Sequence, residues 1–393
     1  MTDRDAGQAL RDEIRAWLKE NAPGGWRDVA SHAEFVKLQR EWFGRLVQAG
    51  YGIPHWSAEW PGGGRTLAEQ KVIYEELARS DAPRLLLTFV ASYHTYATLA
   101  EHGSDEQKAR FLPGILAGDI WCQGFSEPNA GSDLAAIRTK AVLRNGVYIV
   151  DGQKIWSTMA QHADRCLLLA RVAESDVKQA GLVFLLLDMR AAGVTVKPIR
   201  QITGDEEFAE IFLDGVEVPL ADRVGEEGEG WRIAQTTLAS ERGLTLLELS
   251  NRMHGTLWRL AEAARSVRRD DRHTLFELGR LATRVAATKA LADQFLERRI
   301  AGREQVGDAS LVKNAYSTTL RAWADLGLRL APFEAQYRAP IVFGELNSGN
   351  WMADFMASYA WSIAGGSEEI QRNIIAERVL GMPREPKAWS LQS

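Results

Sequence analysis

Residues 125–133 read Phe-Ser-Glu-Pro-Asn-Ala-Gly-Ser-Asp and pack two hydroxyls, two acids and a glycine turn into nine positions. About twenty residues later, Gly-Gln-Lys-Ile-Trp-Ser-Thr at 152–158 sets a tryptophan beside two more hydroxyls, just after a hairpin-like Asp151-Gly152. Ser126, Ser132 and the amides around Gly131 supply donors and acceptors in a tight turn, which suits the polar edge of a planar ligand such as a flavin ring. Trp156 offers a flat apolar wall for that ligand and Thr158 another edge contact. The same residues would equally make an Asx/Ser turn with an ordinary core tryptophan. The two segments together, in that order, favour the ligand.

A third constellation is Leu-Ala-Ser-Glu-Arg-Gly, with Glu241 followed by Arg242. A carboxylate drawn out of water becomes a better proton acceptor, which is the requirement for abstracting a carbon-bound proton. Glu241 shares a helical stripe with Ala234 and Leu238, so it can face inward. Gly243 costs a helix about 1 kcal/mol and would leave room for a ligand. Read alone, Glu241-Arg242 is an ordinary solvated pair on a helix. No Walker A segment, no His-Glu-x-x-His and no cysteine pair with zinc spacing is present, and no metal site is expected.

Helices must carry the outer parts of these segments and strands the inner part. Leu10, Ile14, Trp17 and Leu18 recur at helical spacing, as do Phe35, Leu38, Trp42 and Leu46. Thr66 with Glu69 and Ser104 with Gln107 predict capping boxes for two more helices, ending near Arg79 and Ala117. After Trp121 the pattern changes to short β-branched or leucine-rich runs: Val142–Val150, Asp164–Val172, Gly181–Asp188, Gly193–Arg200 and Phe208–Val218. Such a series without intervening helices predicts a sandwich or small barrel. Gly225–Gly230 closes it, and 231–266, about 274–301, 309–331 and 351–380 predict four long helices. The fold class is therefore α+β and multidomain. A helical domain spans 1–118, a central β-barrel or sandwich 119–228 and a four-helix bundle 229–393.

With 393 residues, 46% of them apolar and 25% charged, the chain is that of an ordinary globular protein with a sizeable core. A net charge of −5 argues against nucleic acid or an anionic membrane as the main partner. No apolar run approaches the roughly 20 residues of a membrane helix, so no membrane insertion is expected. Cys122 and Cys166 are too few for a disulfide framework, which fits a reducing cytoplasm.

The motifs resemble those of the acyl-CoA dehydrogenase family. Its pattern of Thr or Ser, Glu-Pro and Gly-Ser-Asp falls on Ser126, Glu127-Pro128 and Gly131–Asp133, and its Gly-x-Lys-x-Trp-x-Thr on Gly152–Thr158. Ile363-Ala-Gly-Gly-Ser-Glu-Glu-Ile-Gln-Arg372 and the Trp-Pro-Gly-Gly-Gly loop at 60–64 extend the likeness over nearly the whole chain. The resemblance implies FAD-dependent α,β-dehydrogenation of an acyl-CoA, with electrons passed to an electron-transfer flavoprotein. Carried over by position, Gln123 (where the family pattern opens on an aromatic), Phe125, Ser126, Trp156, Ser157, Thr158, Ser367 and Glu369 would contact FAD. Ser132, Arg242 and Gly366 would contact substrate. Many members carry their base where this chain has Gly365. Isovaleryl- and long-chain-type members place it before an arginine on the first bundle helix, which implies Glu241 as base here.

The family's phosphate-side Arg-x-x-Phe-Gly is missing from Asp271–Gly279, and so is its Gln-x-x-Gly-Gly-x-Gly before residue 363. Both losses suit a heterotetramer with a related subunit, against a homo-oligomeric dimer or tetramer. Two alternatives remain: a non-catalytic partner subunit, and an oxidase or monooxygenase of the same fold. The position of the base suggests a branched or steroid side-chain acyl group.

Overall fold

In a computed structural model of the chain, residues 3–240, 244–267, 271–333 and 347–384 are described. They fall into two compact units, one ending with helix α6 (Gly230–Ser240) and one beginning at residue 244. Among the described residues no helix is long and apolar enough to cross a membrane.

The first unit opens with helices α1 (Asp3–Asn21), α2 (His32–Gln48), α3 (Leu67–Arg79), α4 (Tyr96–His102) and α5 (Asp105–Leu116). Both expected capping boxes form: Thr66 and Ser104 each accept from the amide three residues on, and Glu69 and Gln107 return the bond. A π-helical turn, Val90–Thr95, leads into α4. The loop before α3 folds over this turn. Trp56 Nε1 and His55 Nε2 both donate to the Ser92 carbonyl at 2.8 Å, and Trp56 stacks on Tyr96 with centroids 4.4 Å apart.

Eight strands follow: β1 (Trp121–Gly124), β2 (Lys140–Arg144), β3 (Val147–Thr158), β4 (Arg165–Arg171), β5 (Leu182–Asp188), β6 (Val194–Ile199), β7 (Phe208–Pro219) and β8 (Arg223–Val224). They make one sheet in the order β6-β7-β3-β2-β4-β5-β8, with β1 added to β4 in parallel. Val142–Val150 is not one strand. Asn145 and Gly146, with φ of 49° and 80°, turn β2 back on β3 as a tight hairpin. Asp151-Gly152 is not a hairpin but lies inside β3, where the register against β7 slips.

The unbroken apolar runs in β4 and β5 have a simple cause. Leu167, Leu169, Leu182, Phe184 and Leu186 face one core with Phe43, Trp56, Phe111 and Ile233 from the helices. Cys166, Leu168, Ala170, Val183, Leu185 and Leu187 face a second core with Tyr148, Val150, Ile211 and Val216, so the sheet curls over its own inner face. Strands covered on both faces lose alternation. Cys122 and Cys166 are in-register neighbours on β1 and β4, both fully buried and both free.

The second unit holds α7 (Leu244–Gly255), α8 (Leu257–Ser266), α9 (Arg272–Ile300), α10 (Asp308–Leu330), α11 (Trp351–Ser358), α12 (Ala360–Ile363) and α13 (Glu368–Ile374). Only α9 and α10 match the long helices expected. The pattern over 231–266 is interrupted at Thr256, and that over 351–380 at Tyr359 and again at Gly365-Gly366, whose φ values of 65° and 84° end a helix. Gly327 of α10 has the Trp351 ring directly on its Cα, where a Cβ would lie 2.0 Å from ring carbons.

Candidate active site

The two polar motifs of the first unit are brought together by a buried ion pair. Lys154 lies wholly inside the sheet, and its Nζ donates to Glu127 Oε1 at 2.8 Å and to the Phe125 carbonyl at 3.1 Å. Glu127 also accepts the amides of Arg138 at 2.6 Å and Thr139 at 2.8 Å. Burial alone would raise the Glu127 carboxyl, but Lys154 and these amides hold it below the usual carboxylate range. Burial pushes the Lys154 ammonium down to about 8 despite the carboxylate. Two further bonds sew the segments edge to edge: Ile155 N to Ser126 O at 2.9 Å, and Ser157 Oγ to Gln123 O at 2.9 Å.

The clamp fixes a bulge. Between Lys154 and Ser157 the pairing of β3 with β7 breaks, and there Trp156 takes φ 63°. A tryptophan in the left-handed region costs of order 1–3 kcal/mol and persists only where its surroundings impose it. Its indole is 57% exposed and touches Phe208 edge-on at 6.1 Å, so the strain turns a large apolar face outward. Gln123, Ser126 and Thr158 are half-buried on the neighbouring backbone, and Gly131-Ser132-Asp133 forms an exposed turn. An outward indole ringed by side-chain and backbone donors fits a planar heteroaromatic ligand, and a flavin ring is such a ligand.

Not every predicted residue presents its side chain there. Phe125 packs inside, edge-on to Phe184 at 5.7 Å, and the Ser157 hydroxyl is already spent on Gln123. A ligand would meet Phe125 through its backbone, and the Ser157 hydroxyl keeps only acceptor capacity. In the second unit Ser367 caps α13 by accepting from Ile370 N at 3.4 Å, after Gly366 in the left-handed region. Glu369 is exposed one turn in, its carboxyl held low by local backbone and Ser367 bonds. Glu368 behind it is buried and accepts from Ser317 Oγ at 3.1 Å.

Glu241 and Arg242 lie outside the described residues. Helix α6, which precedes them, belongs to the first unit and buries Gly230, Ile233, Ala234 and Thr237. The helix can start this close to the sheet because Gly230 has no side chain: a Cβ would come within 2.7 Å of the β5 backbone at Leu182 and Val183. Thr237 Oγ1 lies 2.7 Å from Thr98 Oγ1 on α4, so α6 is also tied to the N-terminal helices. Sequence reasoning gave no role to Gly230, Glu127 or Lys154. Glu127 and Lys154 each sat within a motif already singled out, but 27 positions apart they carried no sign of being partners.

The chain is similar to known proteins over nearly its whole length. Residues 4–119, 122–216 and 228–380 match the N-terminal, middle and C-terminal domain models of acyl-CoA dehydrogenase. The chain is 35% identical to the acyl-CoA dehydrogenase IpdE1 of Mycolicibacterium smegmatis, over 97% of this chain and 99% of that one. It is 38% identical to acyl-CoA dehydrogenase FadE34 of Mycobacterium tuberculosis, covering 95% of this chain and 49% of the relative. Among solved structures it resembles the Tcur3481-Tcur3483 steroid ACAD (TM-score 0.84, 27% identity, 97% and 98% of the two chains). It also resembles the ChsE4-ChsE5 complex of Mycobacterium tuberculosis (TM-score 0.82, 27% identity, 98% and 99%). The chain belongs to the acyl-CoA dehydrogenase family and is an oxidoreductase of that kind.

Proposed function

We propose that the chain catalyses FAD-dependent α,β-dehydrogenation of an acyl-CoA thioester, with Glu241 as the base. The observation that carries this reading is the outward Trp156 indole, held in strained backbone by the Glu127–Lys154 clamp. The bound flavin supplies the hydride acceptor at N5. The chain does the rest. Trp156 walls the ring, and Gln123, Ser126 and Thr158 bond its edge with the backbone of Phe125 and Ser157. The family resemblance assigns substrate contacts to Ser132 and Gly366 and further flavin contacts to Ser367 and Glu369.

Glu241 takes the α-proton while the β C–H pair leaves as hydride, and Cα=Cβ forms. Arg242, next in sequence, would orient or charge the local site and contact the substrate. The two electrons pass on to an electron-transfer flavoprotein.

The enzyme works as a heteromer with a related subunit. Leu275 and Phe276 on α9 are 59% and 67% exposed, within the stretch that lacks the family's phosphate-side arginine. An adjacent exposed apolar pair of this kind suits a subunit interface. A steroid or branched acyl group is the substrate class favoured by likeness to a steroid ACAD.

The test is spectroscopic. The purified protein, with its partner subunit where required, should show flavin absorbance that an acyl-CoA bleaches anaerobically. Glu241→Gln should slow bleaching about 10²–10⁴-fold while flavin content is kept. Full turnover in that variant removes Glu241 from the chemistry.

A further inference from the structure

The π-helical turn Val90–Thr95 carries a buried polar side chain without polar contacts among the described residues. His94 is 3% exposed, and among the described residues neither Nδ1 nor Nε2 has a hydrogen-bond partner. Its ring meets the Phe89 ring edge-on at 5.0 Å. Burial pushes its pKa down to about 4, so at neutral pH the ring is uncharged and carries one donor and one acceptor. Thr88, six residues earlier and fully buried, has an unpartnered Oγ1 as well.

The serine and threonine hydroxyls within the turn and the start of α4 are bonded. Ser92 Oγ donates to Thr88 O at 2.8 Å, Thr95 Oγ1 to Val90 O at 3.2 Å and Thr98 Oγ1 to His94 O at 2.7 Å. His55, a half-buried histidine of this region, has both nitrogens bonded, to Ser92 O and the Tyr74 hydroxyl. A buried polar atom left unpaired is costly, so an imidazole with two such atoms calls for a partner that a ligand can supply.

The position of the turn says which ligand. It packs against β1, which runs into the Gln123–Ser126 segment, and against α6, whose chain continues to Glu241. On the function proposed above, an acyl group must lie with its reacting carbons between the flavin wall and residue 241. The turn thus packs on the strand leading into the flavin-edge segment and on the helix that precedes residue 241. Ala91 of the turn, with Leu99, Phe125 and Ala234, belongs to an apolar cluster, so the surroundings suit a hydrocarbon skeleton.

We propose that His94 is a specificity residue that hydrogen-bonds a single oxygen, a hydroxyl or a ketone, on the otherwise apolar acyl group. This rests on the acyl-CoA reading and narrows it: the substrate class is an oxygenated acyl-CoA, not a plain hydrocarbon one. The reaction that supplies this substrate must therefore leave or install an oxygen on the acyl skeleton.

The experiment compares 3-cyclohexylpropanoyl-CoA with its 3- and 4-hydroxycyclohexyl counterparts, on the holoenzyme and on His94→Phe and His94→Gln. Affinity is read separately by calorimetry, with the matching CoA thioethers that cannot be dehydrogenated. The wild type should favour at least one hydroxylated compound about tenfold in Kd and in kcat/KM. The preference should vanish in His94→Phe and survive in part in His94→Gln, which keeps a donor and an acceptor.

Equal affinities in the wild type, or an undiminished preference in His94→Phe, overturn the proposal, since an internal water partnering the ring gives that result. If His94→Phe does not fold, an undiminished preference for hydroxyl in His94→Leu overturns it equally. Thioethers that bind with the expected preference beside thioesters that bleach no flavin would instead sink the dehydrogenation reading and leave the His94 contact standing.

Discussion

Lys154 and Glu127 form a buried pair that holds the two polar motifs of the first unit together. Removing one member of such a pair strands the other charge in a dry interior, which costs about 3–5 kcal/mol. Lys154→Met should therefore lower the unfolding free energy by that amount in urea and strip flavin from what remains folded. Retention of wild-type stability would show that the carboxylate is satisfied by the Arg138 and Thr139 amides alone. His55 makes a second prediction at this scale. Burial pushes its pKa down to about 4, against the opposing bond from Ser92, whereas an unfolded histidine titrates near 6.5. Between those values the unfolded chain holds a proton that the folded one lacks, so stability falls as pH drops from about 6.5 to 4 and this group contributes nothing above that window. In His55→Phe the slope of stability against pH should be shallower by about 1.4 kcal/mol per unit. Urea titrations at pH 5 and pH 7 measure it, and an unchanged slope would show that His55 does not carry the proton. At this scale the sequence displayed the outward-facing residues well, because Ser126, Trp156 and Thr158 stand in short contiguous motifs. It hid His94 and Lys154, because whether a polar side chain is paired depends on what folds over it.

The bulge in β3 and the start of α6 are where elements do the positioning. Trp156 sits in backbone that glycine adopts freely, so Trp156→Gly should be more stable than Trp156→Ala by about 1 kcal/mol although both lose the indole. The reverse order would mean that the bulge relaxes once the ring is gone. Gly230→Ala tests α6. Its added methyl would collide with β5 backbone and lift the helix that leads to residue 241. Turnover should fall about tenfold or more while flavin absorbance changes little, since misplacing a reacting group by an ångström carries such a cost. Elements with local punctuation were legible: the capping boxes at Thr66 and Ser104 needed only four residues each. The Asn145-Gly146 turn was equally local, and its dipeptide is a strong hairpin signal, but the apolar run around it masked the signal. The breaks at Thr256 and Tyr359 were not legible, because helical periodicity runs on across them. The π turn at 90–95 leaves no mark on periodicity at all.

At the scale of the whole molecule, the three-part order of helices, sheet and helices was readable from where the apolar period changes. A barrel or sandwich was readable from the run of short strands without helices, but the strand order was not, because strands buried on both faces look alike in any topology. Assembly is tested on α9. Leu275→Glu with Phe276→Glu should shift the complex to smaller species on size-exclusion chromatography, and an unaltered elution profile would place the interface elsewhere. The doubly covered sheet has one more consequence. Its two thiols are neighbours on adjoining strands with no solvent on either side, and burial raises the Cys122 thiol well above its ordinary range. An aromatic disulfide reagent should therefore find neither sulfur in the native enzyme and both once the strands separate. The rate at which colour develops then clocks the opening of the sheet itself, a built-in stopwatch for the part of the molecule that every other group leans on.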